Sequence, residues 1–209
     1  TLGVVSKGTR TKMPYSVVSS LRVPDPQNFI EVFNSKIRSS LEANGATSVN
    51  FRQIILGGEM VGTLQQSLTF NEIDDAVNAL AVASPLVPAF VAETGATVIG
   101  RSMAHTRAER GVTQGAYGSM LMSRGLPVDD ATYQANADLF WSKMSSGING
   151  QRFGVVIAGA ERTGAVAAIS WTDSLSSLQN VSDAMFASAD VQEVLMAQQV
   201  TMISKVYFR

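Results

Sequence analysis

The 209-residue chain contains no cysteine and a single histidine, His105. Without cysteine there is no disulfide scaffold, thiol nucleophile, iron–sulfur cluster or thiolate zinc site. A lone histidine excludes a His-rich metal site, and any imidazole chemistry rests on His105. Charge is scarce as well. Sixteen Lys and Arg stand against 17 Asp and Glu, together 16% of residues, below the roughly 25% usual for soluble domains. No basic field for nucleic acid results. Ser, Thr, Gly or a charge interrupts every apolar run before the roughly 18–20 residues of a membrane span, so no membrane partner is expected. Thr1 to Lys7 lack the layout of a signal peptide. A cytoplasmic location is therefore the expectation, with prior cleavage of an export signal left open.

What the chain does contain is a 45% apolar composition, enough for a full core, and an internal repeat. Gly57, Glu59 and Gly62 recur as Gly159, Glu161 and Gly164, each 102 positions on. Arg52 and Arg152 open the extended runs before these turns, and Phe70 and Trp171 close the strands after them. A repeat of this length is a duplicated domain, not a solenoid. Each half reads as βαββαβ. In the first, a strand from Tyr15 stops at Pro24-Asp25-Pro26, where Asp25 suits a helix cap and Pro26 the first helical position. Phe29, Phe33, Ile37 and Leu41 share one helix face, a hairpin turns at Gly57-Gly58, and Asn71 and Ser84 begin further helical segments. In the second, Asp129 caps a helix carrying Tyr133, Ala137, Trp141 and Met144, and Thr172 and Ser188 start the later helices. The expected segments are an N-terminal arm 1–12, a first unit 13–105, a polar linker 106–114 and a second unit 115–209. Alternate apolar residues on the uncovered sheet faces predict that the two sheets pack face to face.

The run from Ile169-Ser170-Trp171-Thr172-Asp173 to Ala187-Ser188-Ala189-Asp190, with its counterpart from Phe70 to Ser84-Pro85-Leu86, resembles the dimeric α+β barrel superfamily. The resemblance implies an α+β fold of two tandem ferredoxin-like units in a single-chain pseudo-dimeric barrel. Its relatives include cofactor-free monooxygenases, haem enzymes and small isomerases, so fold alone does not fix activity.

His105 is the candidate general base or haem ligand. The aromatic set Phe70, Trp171, Trp141, Tyr133, Tyr117 and Phe33, on strand ends and inward helix faces, suits an apolar pocket between sheet and helices, or plain core. Trp171, Phe70, Tyr117, Arg101 and Trp141 are the candidate ligand-binding residues. Arg52 and Arg152 tie strand starts to carboxylates or form an anion site. Glu59 and Glu161 read as solvated turn residues. Because symmetric positions carry no catalytic set, the leading expectation is a non-catalytic small apolar ligand-binding or assembly protein. It would need no cofactor or metal and would form a homo-oligomer. The alternative is a cofactor-independent monooxygenase acting on an aromatic substrate through Trp171, Tyr117, Arg101 and His105, and a haem-dependent enzyme comes third.

Overall fold

The computed structural model describes residues 13–209, so the expected arm 1–12 lies outside the described residues. The first half runs β1 (Tyr15–Arg22), α1 (Pro26–Lys36), α2 (Arg38–Ala43), β2 (Ala46–Leu56), β3 (Leu64–Phe70), α3 (Ile73–Ala83), α4 (Val87–Thr94) and β4 (Thr97–Gly111). The second runs β5 (Tyr117–Arg124), α5 (Asp130–Met144), β6 (Gly150–Ala158), β7 (Val166–Thr172), α6 (Leu175–Ala187), α7 (Ala189–Ala197) and β8 (Thr201–Phe208).

The caps at the first helix of each half follow the sequence reading. The Asp25 carboxylate accepts from the Gln27 and Asn28 amides at 3.0 and 3.1 Å, with Pro26 at the first helical position. Asp129 accepts from the Thr132 amide at 2.7 Å. Two later caps differ. Glu72, not Asn71, precedes α3, and Ser174, not Thr172, caps α6 by accepting from the Ser177 amide. Thr172 instead ends β7. Ala76, Ala79 and Ala83 form the buried side of α3, while Ile73 and Val77 are exposed, because small side chains let that helix lie close to the sheet. The two Gly-flanked turns match in backbone geometry: Gly58 has φ +63°, and Ala160 takes the same left-handed region at +50° despite its Cβ.

The eight strands form a closed antiparallel barrel in the order β1-β3-β2-β8-β5-β7-β6-β4. Within each half the sheet order is fourth, first, third, second strand. The halves meet edge to edge, at β2–β8 through Ile54↔Phe208 and Leu56↔Tyr207, and at β4–β6 from Met103↔Ala158 to Gly111↔Gly150. Simple face-to-face stacking of two sheets therefore gives way to closure, which leaves no backbone edge unpaired around the barrel. The expected linker 106–114 changes accordingly. Residues 106–111 continue β4, whose first part pairs with β1 and whose second part supplies the partner that the edge of β6 requires.

Closure gives each strand an inward and a helix-facing row. In the first half the helix-facing row (Val17, Leu21, Leu64, Leu68 and Phe70) packs against Phe29, Phe33, Leu41, Ala76 and Phe90. Phe29, Phe33, Phe51 and Phe90 meet ring to ring, with centroids 5.0–6.3 Å apart. The helical stretch Ile73–Thr94, 22 residues with mean hydropathy 1.5, is apolar and long enough to cross a membrane by length and composition, contrary to the sequence expectation. A 3₁₀ turn at Ser84–Leu86 splits it, and its inner side packs on the first sheet.

Phe29→Ala opens a hole among three other rings and is expected to cost about 3–5 kcal/mol. Urea unfolding of the variant beside the parent measures this, and a loss below about 1 kcal/mol would show that the cluster collapses to fill the space.

Candidate functional site

The second half repeats the helix-over-sheet layout of the first but does not fill it. Aligned on their caps Asp25 and Asp129, α1 places Phe29 and Phe33 where α5 places Tyr133 and Ala137. Replacing a ring with a methyl group leaves space, and a cavity of about 450 Å³ lies between β5–β8 and α5–α7. This is within the usual range for small-molecule sites. Its wall is largely apolar, with Leu121, Phe140, Met144, Phe153, Met185 and Leu195 among its residues. Arg107 and Lys205 are the charged residues lining it, and no Asp or Glu does so.

Two buried oxygens on this wall have no hydrogen-bond partner among the described residues: the Tyr133 hydroxyl and Gln151 Oε1. Gln151 is held from its other end, where Nε2 donates to Ser170 Oγ at 3.3 Å, leaving the carbonyl oxygen as a free acceptor. Tyr133 lies beneath Arg107, whose guanidinium carbon is 5.2 Å from the ring centroid. Burial raises the Tyr133 pKa to about 12, with Arg107 opposing the shift. The phenol is therefore a proton-bearing donor throughout the neutral range. Arg107 is itself steadied by an ion pair with Asp130, and its carbonyl accepts from Gln134 Nε2 at 2.6 Å. Lys205 Nζ donates to Ser182 Oγ at 3.3 Å and lies over the Tyr207 ring. An acceptor, a neutral donor and nearby positive charge in an apolar cavity suit a flat ligand whose oxygen gains negative charge.

The six residues nominated from sequence do not gather here. His105 lies within β4 on the first half, stacked on Tyr15 with ring centroids 4.5 Å apart, and does not line the cavity. Phe70 is fully buried in the first-half core. Trp171 is buried inside the barrel with Ile54, Val206 and Phe208. The equivalence of Phe70 and Trp171 is one position off the 102-residue offset, which puts Thr69 opposite Trp171, and in a strand one position reverses the face. Trp141 is half-buried on α5, its ring close against Gly111. Arg101 donates from Nε to Ser19 Oγ at 3.0 Å in the first half. Tyr117, the first residue of β5, stands outside the lining. Of the wider aromatic set, Tyr133 alone reaches the cavity. Gln151 and Arg107 were missed. The available signal for Gln151 was a polar residue in the row that continues as Phe153 and Val155. A histidine-ligated haem does not fit this cavity, because the chain's one imidazole stacks on Tyr15 and is not among the lining residues. Among the described residues no group of three or more His, Asp or Glu side chains could hold a metal ion.

No family model and no curated protein matches the sequence. Solved structures do. An anthrone oxidase-like protein superposes with a TM-score of 0.60 at 11% identity, covering 94% of this chain and 91% of that one. A provisionally named monooxygenase from Lactobacillus acidophilus NCFM gives 0.54 at 12%, covering 94% and 92%. A chlorite dismutase variant from Candidatus Nitrospira defluvii gives 0.55 at 8%, covering 94% and 91%. Identities this low speak for fold. The neighbours nevertheless carry enzyme names, a finding that counts against the expectation of a non-catalytic binding or assembly protein and corrects it. The closed eight-stranded barrel, the helices outside it and these superpositions give the chain the same fold as these proteins, in keeping with the resemblance to the dimeric α+β barrel superfamily seen in the sequence.

Proposed function

We propose that the chain is an enzyme of the cofactor-independent monooxygenase type, acting on an aromatic substrate in the second-half cavity. The observation that carries this reading is the pair of unpartnered buried oxygens, Tyr133 Oη and Gln151 Oε1, on a largely apolar wall. A hydroxy-keto aromatic satisfies both: its carbonyl or phenolate oxygen accepts from Tyr133, and its hydroxyl donates to Gln151. In this reaction class, loss of a proton from an activated ring carbon gives an electron-rich anion that dioxygen oxidises. One oxygen atom enters the substrate, a CH₂ group becomes C=O, and the second oxygen leaves as water; the four electrons come from the substrate. The chain's part is to hold the ring, exclude water and stabilise the oxyanion through Tyr133 and the charge of Arg107. The likeness to an anthrone oxidase-like protein and a monooxygenase of the same fold supports the reading. His105 does not line the cavity and has no role in this reading.

We also infer that the halves are tandem ferredoxin-like units, a reading supported by their shared strand order and the 102-residue offset. Self-association is a further proposal, supported by exposed Ile73, Val77, Val82, Leu86 and Val87 on α3, α4 and the turn between them. Sedimentation velocity with Val77→Glu tests it: a smaller species is expected, and an unchanged one counts against that face.

Turnover is tested by oxygen uptake with a panel of anthrone-like and polyhydroxylated aromatics. Tyr133→Phe is expected to lower kcat by about 10²–10³-fold, as loss of an oxyanion donor does. Ala137→Phe is expected to abolish ligand binding while the protein stays folded, because it restores the ring that the first half carries at this position. His105→Ala is expected to keep parental turnover. An inactive His105→Ala beside a fully active Tyr133→Phe would overturn the assignment.

A raised tyrosine pKa also affects stability. Between about pH 10 and about 12 the unfolded chain loses the Tyr133 proton while the folded chain keeps it, so the contribution favouring the fold is complete below pH 10 and lost towards 12. Ultraviolet titration of tyrosinate is expected to show one late step near pH 12 that disappears in Tyr133→Phe.

A further inference from the structure

The barrel encloses a second cavity, of about 310 Å³, on the opposite face of the sheet. Its wall comes from the inward row of the strands and is far more polar than a barrel core needs to be, with Ser16, Arg52, Gln65, Ser67, Thr106 and Arg152 along it. Arg52 is the unusual member. Its guanidinium lies over two rings, 5.0 Å from the Trp171 centroid and 4.9 Å from that of Phe208. Among the described residues it has neither a carboxylate partner nor a hydrogen bond. Burial, and then the charge of Arg152, bring its pKa down from the ordinary value to about 10, so it remains a cation at neutral pH.

Arg152 approaches the same indole, at 5.5 Å, and is neutralised by an ion pair with Glu109. Two guanidiniums and one carboxylate leave one positive charge uncompensated. At the rim, Arg101 and Arg162 outnumber Glu161. A separate observation points to the same space: Ser16 Oγ, on a residue only 7% exposed, is buried without a hydrogen-bond partner and lines this cavity. A half-buried cation without a counter-charge and a buried orphan hydroxyl both face this space; the hydroxyl is costly unless something meets it, and one small anion meets both.

We propose that the barrel interior is a binding site for a small oxyanion, a phosphate, sulfate or carboxylate, held by the guanidinium forks of Arg52 and Arg152 against Trp171, with the Ser16 hydroxyl as a further donor. Arginine forks match the paired oxygens of such groups. The site is independent of the proposed catalytic cavity, although one sheet separates them: Gln151 and Ser170 face the helices, while Arg152 and Trp171 face inward.

The test uses the full chain titrated with sodium phosphate, sulfate and acetate against chloride at constant ionic strength. A saturating rise in Tm is expected with at least one of the three, and the one that acts distinguishes tetrahedral from planar oxyanions. In Trp141→Phe, Trp171 is the sole indole of a chain with two, and its emission is expected to change with the same midpoint. Arg52→Met is expected to shift that midpoint at least about tenfold and, having lost a half-buried cation without a counter-charge, to melt no lower than the parent in chloride. Arg52→Lys, which keeps the charge but not the fork, is expected to weaken binding as well and serves if the methionine variant does not fold. A flat Tm with silent Trp171 emission overturns the proposal, as does an unchanged midpoint in the folded Arg52 variant.

Discussion

Pairing of β4 with β6 is the constraint on which the rest of the molecule depends. Each half supplies a four-stranded sheet with two open edges, and open edges are a liability in water. The extension of β4 beyond the part that pairs with β1 joins one pair of edges, and β2 with β8 joins the other. Once closed, the barrel assigns every strand residue to the interior or to the helices, and strand periodicity permits no compromise. Arg152 therefore faces inward because Gln151 and Phe153 face out. Trp171 faces inward because Ser170 faces out. The two cavities are consequences of this division, one for each face of the same strands.

Where the first helix of each half crosses its sheet, the contrast between filled and hollow lies in two side chains. Both place a capped helix across the sheet at the same point, but the first carries two phenylalanines where the second carries Tyr133 and Ala137. In the first half the rings interlock and the layer is solid. In the second, the methyl of Ala137 leaves the space open, and the hydroxyl of Tyr133 brings a donor to a position that is apolar in its counterpart. The filled half keeps the packing contacts that the hollow half gives up.

Much of the architecture was legible in the sequence because it rests on local chemistry. Asp25-Pro26 and Asp129 are caps in both readings, the Gly-flanked turns recur at a fixed offset, and the order βαββαβ follows from helix and strand periodicity. The barrel's closure was harder to read. Residues 106–111 are polar, with Arg107, Glu109 and Arg110, and polar runs suggest a linker; the pairing that makes them a strand comes from β6, about forty residues away. The cavity was legible as a place, but its lining was not. Space between sheet and helices was expected, yet Trp171 and Phe70 were taken as equivalents one position out of register, which is sufficient to move a side chain to the other face. His105 drew attention by being unique, and uniqueness carries no information about position.

The shared strands also limit how the two faces can vary. On β6 and β7, neighbouring residues belong to different cavities, so any change that shifts the backbone at Gln151 or Ser170 also moves Arg152 or Trp171. Space at the sheet is tight at several points: a Cβ at Gly118 would lie 2.3 Å from Phe208 Cζ and 2.4 Å from the Ser170 carbonyl oxygen. Phe208 is in turn one of the two rings beneath Arg52. Little slack therefore exists between the helix-facing polar pair and the inward arginines. The wall between the two cavities is one strand layer thick, and both of its sides are set by the same register, so the residues of one face constrain which residues the other can carry.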